Sequence, residues 1–321
     1  MEQRVLGRTG LKVSALGYGA GAVGGLMVRG TPDEQERSLA RAFEAGITYV
    51  DTAALYGNGE SERNLGRALK ALGARPLLGT KVRLPAGTRG DIGAAIAASL
   101  EASLQRLGRD SVDLFQLHDD IGGAEGLTTA QVLEEALPAL QRLREQGKTR
   151  FLGITALGAV PALRAVLESG AFDTAQVPFN ALNPSWLAPA HAGVAGQDFG
   201  QLGKVAAAHG VGMIGIRILA AGALTGSAER HPVAMQSVPP IASGPSFAAD
   251  VAAALRLRPL VEEGIAGSLA ELALRYAIFA PGMGCALIGT ASVGQLEAAI
   301  AAAEAGPLPA AAVERIGALL A

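Results

Sequence analysis

The chain has 321 residues, of which 50% are hydrophobic and 17% are charged, and its mean hydropathy is +0.31. These values allow a large buried core. A net charge of −2 and a pI near 6.1 argue against nucleic acid or an anionic membrane as a partner. Cys285 is the single cysteine, the first residues lack the apolar segment of a secretory signal, and no run of about 18 apolar residues is present. A cytoplasmic protein without disulfides is therefore predicted.

Short apolar runs alternate with segments of helical length along the whole chain, after an opening hairpin (4–14) that turns at Thr9-Gly10. The continuous apolarity of these runs is typical of strands buried on both faces, as in a parallel sheet. The predicted strands are 15–20, 47–53, 77–82, 112–118, 151–156, 175–180, 211–218 and 285–291.

Capping residues predict the helix boundaries between these strands. Thr31 and Glu34 around Pro32 form a capping-box pattern, and Ser268 with Glu271 repeats it. Pro138 lies inside an otherwise helical stretch and predicts a kink or a break. Glycines are expected at the ends of other helices, namely Gly59, Gly73, Gly108, Gly147, Gly170 and Gly210.

Eight strands that are each followed by a helix predict a (β/α)8 TIM barrel, formed as a single domain over residues 1–321. The opening hairpin is expected to close the bottom of this barrel. A doubly wound open sheet is the alternative, but it usually carries a glycine-rich turn that opens a helix after its first strand. Residues 17–25 contain the glycines, whereas the helix signal begins only at Thr31.

The connection after the seventh predicted strand is unusually long. Residues 220–247 are rich in Gly, Pro and Ser, and a loop of this length in a compact domain is usually functional or disordered. Barrel enzymes often bind phosphate after strands seven and eight. A lid over a phosphate-bearing ligand is predicted, with disorder as the alternative.

Three successive predicted strands lead into a titratable residue, and a tyrosine follows the first of them. The four residues are Asp51, Tyr56, Lys81 and His118. Taken singly, each has an ordinary structural interpretation, such as a turn cap or a packed side chain. An unpaired buried charge is very costly, so together they predict one site in which the charges satisfy one another. An ammonium beside a phenol stabilises the phenolate, which prepares the phenol for proton transfer.

A metal centre and an acyl-transfer site are competing interpretations. A hydrolytic metal barrel draws ligands from several strand ends. The segment 118–120 (His-Asp-Asp) offers one such end, but no other histidine ends a predicted strand. Cys285 begins an apolar strand, and no G-x-S-x-G motif is present. Neither a metal nor a nucleophilic elbow is therefore expected; the remaining histidines are His191, His209 and His231.

Several segments together resemble the aldo-keto reductase superfamily, and the match spans nearly the whole chain. They are LGRTGLKVSALGYG (6–19), GITYVDTAALYGNGESERNLGRAL (46–69), GTKV (79–82) and DLFQLHDD (113–120). The resemblance implies a barrel that binds a nicotinamide cofactor at its C-terminal face. It also implies a catalytic tetrad. Tyr56 would be the general acid or base, Lys81 and Asp51 would support it, and His118 would donate to the carbonyl oxygen.

The resemblance also implies where the cofactor is held. In the family a Ser-Asn pair and a Gln bind the nicotinamide amide; here these positions are Thr155, Ala156 and Gln176, and Ala156 lacks the amide. Ile216 or Arg217 stands where an aromatic residue commonly stacks. The expected cofactor-binding residues are Gly19, Ala20, Thr155, Gln176, Ile216, Arg217, Leu219, Gly222, Leu224, Gly289, Thr290 and Gln295.

The cofactor is expected to be NAD or NADP, with NAD favoured. Residues 288–300 contain no Lys or Arg, and a cation is the expected partner of the 2′-phosphate of NADP. Arg217, or Arg230 in the long loop, is the residue that would reverse this preference.

The predicted function is an oxidoreductase that interconverts an aldehyde or ketone with its alcohol. The segment IRILAAGAL (216–224) is similar to NAD-linked sugar dehydrogenases of the superfamily. The available polar residues favour a polar substrate such as a small sugar; they are Asn58, Gln116, Asn180 and Asn183. The aromatic residues near strand ends are expected mainly to pack; they are Tyr18, Phe179 and Trp186. A cofactor-binding regulator similar to potassium-channel β subunits is the alternative, followed by a metal-dependent hydrolase. The oligomeric state is not predicted.

Overall fold

The computed structural model describes residues 1–85, 87, 90–192 and 196–321. Eight parallel strands form a closed barrel, and two short strands near the start of the chain form an antiparallel hairpin. The first and last strands of the barrel pair with each other in parallel, so the sheet has no open edge. This confirms the predicted (β/α)8 barrel and excludes the doubly wound sheet.

All eight predicted barrel strands are present, with ends that differ by a few residues from the prediction. In the described residues the strands are β1 Gln3–Val5, β2 Lys12–Ser14, β3 Leu16–Gly19, β4 Tyr49–Asp51, β5 Leu77–Val82, β6 Val112–Leu117, β7 Thr149–Thr155, β8 Thr174–Pro178, β9 Gly212–Ile216 and β10 Cys285–Gly289. Around the barrel, β3 to β10 are neighbours in chain order, and β10 returns to β3.

The helices lie between the strands, and two of them follow the last one. In the described residues they are α1 Leu26–Arg29, α2 Pro32–Glu44, α3 Glu60–Ala71, α4 Ile92–Leu107, α5 Leu137–Glu145, α6 Val160–Glu168, α7 Leu202–Ala208, α8 Phe247–Leu255, α9 Arg258–Glu262, α10 Leu269–Ile278, α11 Val293–Glu304 and α12 Ala310–Leu320. Short 3-10 turns cover Gly7–Thr9 and Ala220–Thr225, and a π-helical turn covers Gln131–Ala136. Within the described chain, no helix combines the length and apolarity needed to cross a bilayer.

The predicted helix caps are mostly present. The box at the start of α2 is complete, because Thr31 Oγ1 accepts from the amide of Glu34 and the Glu34 carboxylate accepts from the amide of Thr31. The box before α10 is only half formed, because the Glu271 carboxylate accepts from the amide of Gly267 instead of that of Ser268.

Two further helix-boundary predictions gave different outcomes. Gly59 precedes α3 as its N-cap with φ of 83°, so its expected position at the end of a helix was wrong. The irregularity expected at Pro138 is present, since a π-helical turn leads directly into α5 at this proline.

The hairpin closes the lower end of the barrel, as predicted. Leu6 is fully buried against the barrel floor, and the amide of Arg8 donates to the carbonyl of Gly210 at 2.7 Å. The floor is a separate apolar cluster, which includes Tyr49, Leu114 and Ile214. The lower part of the interior is filled mainly with apolar side chains, and the polar side chains of Asp51 and Lys81 lie above it, toward the carboxyl ends of the strands.

The long connection leaves β9 and reaches across to the start of the barrel. Residues 227–246 contain no helix or strand. The amide of Met235 donates to the carbonyl of Val23 at 3.0 Å, and Arg29 Nε donates to the carbonyl of Val233 at 2.6 Å. The long loop is thereby tied to the segment that follows β3.

Candidate active site

Side-chain alternation along the strands positions the predicted tetrad. Successive residues of a strand face opposite sides, so residues two apart share one face. On β4 the buried Tyr49 belongs to the interior floor, which puts Asp51 one layer above it on the same face. Twice this spacing leads from Leu77 to Lys81 on β5 and from Leu114 to His118 along β6. The carboxyl ends of three neighbouring strands therefore deliver these side chains to one place.

Lys81 is the centre of the site and is only 1% exposed. Its ammonium donates to Asp51 Oδ1, to the backbone oxygen of Thr52 at 2.8 Å and to the Tyr56 hydroxyl at 3.1 Å. An ammonium has three hydrogens, so its donor capacity is filled. Burial lowers the pKa of Lys81, but the charge of Asp51 and the contact with Tyr56 outweigh burial, and the net pKa is raised. The lysine is therefore charged at neutral pH.

Asp51 is held by donors from three other strand positions. Its Oδ2 accepts from Gln176 Nε2 at 2.6 Å, Tyr49 OH at 2.9 Å and Gln116 Nε2 at 3.2 Å. A carboxylate held by this many donors keeps one orientation, and with it the position of Lys81. Sequence reasoning missed Tyr49, whose only signal is that it precedes Asp51 by two residues on the same strand face.

Tyr56 lies half-buried in the turn after β4, with its ring edge-on to that of His118 and the ring centroids 6.2 Å apart. The Tyr56 oxygen accepts from Lys81, which is a donor only. The phenolic hydrogen is therefore directed away from the lysine and stays available to a ligand in the mouth of the barrel.

His118 completes the group on the far side of Tyr56. Its Nδ1 lies 2.6 Å from the Thr155 hydroxyl at the end of β7. Burial, with smaller contributions from the charges of Lys81 and Arg83, lowers the pKa of His118 to about 3. The imidazole is therefore neutral at physiological pH.

Comparison with known proteins gives the chain a family. The Aldo/keto reductase family model matches residues 15–321. The chain belongs to the aldo-keto reductase family. The resemblance inferred from the sequence segments is thereby confirmed.

Individual relatives of this aldo-keto reductase include sugar dehydrogenases. An L-galactose dehydrogenase of Arabidopsis thaliana is 34% identical over 310 residues, which is 94% of this chain and 88% of that protein. A D-threo-aldose 1-dehydrogenase of a Pseudomonas species is 34% identical over 185 residues, which is 50% of this chain and 55% of that protein. These matches support the sugar branch of the family.

Two other comparisons bear on the fold and on the regulatory alternative. The solved structure of an aldo-keto reductase from Bacillus halodurans, in its holo form, superposes with a TM-score of 0.75 at 26% identity. The superposition covers 100% of this chain and 97% of the Bacillus halodurans protein. A putative voltage-gated potassium channel subunit beta of Schizosaccharomyces pombe is 34% identical, but over only 47% of this chain and 44% of that protein.

The expected cofactor residues of this aldo-keto reductase lie along one continuous arc of the rim, over β7, β8, β9, β10 and β3. At one end Gly19 is in register with both Asp51 and Gly289, and the amide of Ala20 donates to the carbonyl of Asp51 at 2.8 Å. The carbonyl of Thr290 accepts from the amide of Leu26. These contacts place the ends of β3, β4 and β10 side by side.

Elsewhere on the arc, several predicted residues already have internal partners. Gln295 accepts from the amide of Ala291 at 2.8 Å. The amides of Gly222 and Leu224 both donate to the carbonyl of Leu219, so these two amides are occupied in this structure.

Among the described residues, two arginines near this arc have no acidic partner. Arg217 is half-buried with a positive φ of 58°, and its guanidinium donates to the carbonyl of Pro239 at 3.3 Å. Arg230 donates to the carbonyls of Ala221 and Met235. Neither arginine forms an ion pair within the described part of the chain. Burial lowers the pKa of Arg217, and an electrostatic interaction with Tyr56 offsets this only in part. Unpaired, partly buried cations fit a ligand that carries phosphate.

Gln176 also fits a nicotinamide ligand. Its side chain is buried and its amide nitrogen is committed to Asp51, while its carbonyl oxygen has no hydrogen-bond partner among the described residues. That oxygen can accept from a carboxamide. Members of the family use nicotinamide cofactors, usually NADP, so the comparisons give no support to the expected preference for NAD.

The polar and aromatic residues expected near a substrate are mostly engaged elsewhere. Asn180 and Asn183 bond to backbone groups of the loops that surround them. Tyr18 donates to or accepts from Ser38 at 3.0 Å, and burial raises its pKa to about 12. Trp186 is fully buried beside Phe199, as the packing interpretation predicted; Phe179 likewise stacks on Tyr276.

Proposed function

We propose that this aldo-keto reductase interconverts an aldehyde or ketone with its alcohol, and that Tyr56 exchanges the proton. The observation that carries the proposal is the position of Lys81 Nζ, which donates to the Tyr56 hydroxyl at 3.1 Å while Asp51 holds it from the other side. Reduction of a carbonyl places negative charge on its oxygen, and a proton must be supplied there. Tyr56 has the free hydrogen, and Lys81 stabilises the phenolate that remains.

The other side chains act through position and charge. Asp51 keeps Lys81 charged and oriented, and His118 donates a hydrogen bond to the substrate oxygen. In alcohol oxidation the roles are reversed, with Tyr56 as the general base. The nicotinamide cofactor, when bound, donates or accepts the hydride.

The cofactor is proposed to lie along the arc from β7 to β3. Gln176 would accept from the carboxamide, Ile216 would cover the ring, and Arg217 with Arg230 would neutralise the phosphates. The absence of a cation in 288–300 favours NAD; Arg41, which approaches α11, is already paired with Glu297 at 2.6 Å. The long loop over 227–246 is proposed to act as the lid.

The proposed substrate is a small sugar or a related polar carbonyl compound. Two of the relatives are named as sugar dehydrogenases, and the longer match covers 94% of this chain. A site in which Asp51, Lys81 and His118 lie beside one another is polar, which suits a hydroxylated substrate better than an apolar one.

The test is a turnover assay with NAD and NADP against aldoses and aromatic aldehydes. Tyr56→Phe should lower kcat by about 10²–10⁴-fold, which is the usual contribution of a positioned general acid or base. Its affinity for the cofactor, measured by fluorescence titration, should stay close to that of the wild type. Tyr276→Phe is the matched control, because this tyrosine stacks on Phe179 and has no hydrogen bond to the tetrad among the described residues. If the wild type turns over no substrate faster than Tyr56→Phe does, the proposal is wrong.

The regulatory alternative has the match to the potassium channel subunit in its favour. It makes a different prediction in the same experiment. A regulator would retain the cofactor tightly in the titration and show negligible turnover with every substrate.

A further inference from the structure

Thr155 and His118 form a contact of the tetrad that the proposed mechanism does not use. Thr155 ends β7 and is fully buried. The register between β6 and β7 pairs Leu117 with Ile154, so the next residues, His118 and Thr155, lie side by side. The Thr155 Oγ1 to His118 Nδ1 distance is 2.6 Å, which is short for a neutral hydrogen bond.

The hydrogens of this pair can be arranged in two ways. A neutral imidazole carries one hydrogen, on either Nδ1 or Nε2, and a hydroxyl carries one hydrogen and can also accept. If Nδ1 carried the hydrogen and donated to Thr155, the buried hydroxyl hydrogen would need another acceptor. Within the described residues the Thr155 hydroxyl has no other partner. If the hydroxyl donates to Nδ1, every buried hydrogen is satisfied, and the imidazole hydrogen must be on Nε2.

We propose that Thr155 is a positioning residue that fixes His118 in the Nε2–H tautomer and directs that N–H into the mouth of the barrel. His118 Nε2 has no hydrogen-bond partner in the part of the chain that the structure describes, and its ring lies beside that of Tyr56. His118 therefore presents a fixed neutral donor next to the phenolic hydrogen.

The charge state of His118 agrees with this arrangement. Burial and the nearby Lys81 and Arg83 keep the imidazole neutral well below physiological pH. A neutral imidazole has only one hydrogen, so its tautomer decides whether the nitrogen in the mouth donates or accepts. The use of that donor by a substrate oxygen rests on the proposed function; the tautomer itself does not.

The inference also changes the role expected of Thr155. The family resemblance implies that Thr155 binds the cofactor, whereas here its hydroxyl hydrogen is used by His118. Its hydroxyl hydrogen is committed to His118, and the following residue, Ala156, has no polar side chain. Of the three positions expected to bind the nicotinamide amide, Gln176 keeps a free polar atom and Thr155 keeps only acceptor capacity.

The experiment measures the tautomer directly by long-range ¹H–¹⁵N NMR on the full-length protein with ¹⁵N-labelled histidine, without cofactor. The chain has 4 histidines, and His118→Gln assigns the relevant signals. The wild type and Thr155→Ser should both show a protonated Nε2 and a hydrogen-bonded, unprotonated Nδ1. In Thr155→Val the Nδ1 resonance should move to the position of an unbonded nitrogen.

Kinetics supply the second readout. Thr155→Val should lower kcat/KM by about tenfold, as expected for losing one orienting hydrogen bond, and Thr155→Ser should restore most of it. Thr174→Val is the matched control, because Thr174 is also a fully buried barrel threonine, but its hydroxyl has no hydrogen-bond partner in the structure as described. Added to His118→Gln, the Thr155→Val change should cause no further loss.

A protonated Nδ1 in the wild type overturns the proposal. So does a Thr155→Val protein with wild-type resonances and kinetics. If Thr155→Val does not fold, the spectra of the wild type and of Thr155→Ser still decide the tautomer. These spectra require no turnover, so failure of the proposed oxidoreductase function, seen with Tyr56→Phe, is a separate result.

Discussion

At the scale of single residues, Asp51 is the acceptor around which the side chains of the site are arranged. Four side chains donate to this carboxylate, from Tyr49, Lys81, Gln116 and Gln176. Lys81 has a side chain with no exposed surface, so its charge has no access to water. Asp51 therefore both orients the site and compensates a buried cation.

Replacing Asp51 by Asn should destabilise the fold as well as reduce activity. It leaves the Lys81 charge without its counter-ion, and breaking a buried ion pair from one side typically costs about 3–5 kcal/mol. Tyr49→Phe is the milder comparison, since it removes one hydrogen bond to a charged group and should cost about 1.5 kcal/mol. Urea unfolding of both variants measures the two free energies. Equal losses would mean that the ion pair is not the dominant contribution.

His118 should make the stability of the protein depend on pH. Its pKa is about 3 when folded, against an ordinary value of 6.5, so below pH 6.5 the unfolded chain binds a proton that the folded state does not. Stability is therefore fully present above pH 6.5 and is lost as the pH falls toward about 3, by at most about 1.4 kcal/mol per pH unit. Unfolding measured at pH 7, 6 and 5 should show a smaller loss for His118→Gln than for the wild type. Parallel pH curves would contradict the assigned burial of His118.

At the scale of elements, the turn after β9 is the most strained part of the described backbone near the site. Arg217, Ala220 and Ala221 all have positive φ, at 58°, 47° and 58°, where side chains with a Cβ are unfavourable. Such strain concentrates at functional sites. This turn also contains four of the expected cofactor-binding residues, namely Arg217, Leu219, Gly222 and Leu224.

Replacing Ala221 by Gly should relieve that strain. Glycine adopts this conformation without strain, which stabilises the folded state. Glycine also raises the conformational entropy of the unfolded chain, which opposes this effect. The free energy of unfolding should therefore increase by about 0.5–1 kcal/mol. Ala252→Gly, at an exposed position inside α8, is the control and should cost about 1 kcal/mol. If the turn is strained, thermal or urea unfolding should show that the free energy of unfolding rises in Ala221→Gly and falls in Ala252→Gly. A loss of stability for Ala221→Gly would count against strain in the turn.

The elements themselves were largely predictable, and so was the convergence of the four tetrad side chains. Asp51, Lys81 and His118 stand at the ends of apolar runs, a pattern that needs no knowledge of the neighbours. The second capping box was only half correct, because Glu271 reaches Gly267 and no local rule distinguishes two adjacent amides. Tyr49 and the Thr155 contact could not be predicted, since their meaning depends on the register between strands.

At the scale of the whole molecule, the long loop joins parts of the barrel that are distant in sequence. It leaves β9 and is tied through Met235 and Val233 to the segment after β3. A ligand bound along the rim from β7 to β3 would lie close to this connection. Sequence could show that the loop was long and rich in Gly, Pro and Ser, but not where it would attach.

If the loop is a lid, cofactor should slow hydrogen exchange across residues 227–246. The comparison is amide exchange followed by mass spectrometry with and without NAD or NADP, with α12 as an internal reference. Arg29→Ala, which removes the bond to Val233, should speed exchange in the loop. Arg63→Ala is the control, because this exposed arginine pairs with Glu60 on the surface. If the amide exchange rates of residues 227–246 are the same with and without the cofactor, the loop is not a lid.

The barrel interior is divided into an apolar floor, sealed by the hairpin, and a polar layer above it. The floor supplies cohesion below the polar layer. Exposed residues of the rim outside the tetrad and the cofactor arc, such as Asn58, are therefore the positions at which a laboratory library can search for new carbonyl substrates while the scaffold stays folded.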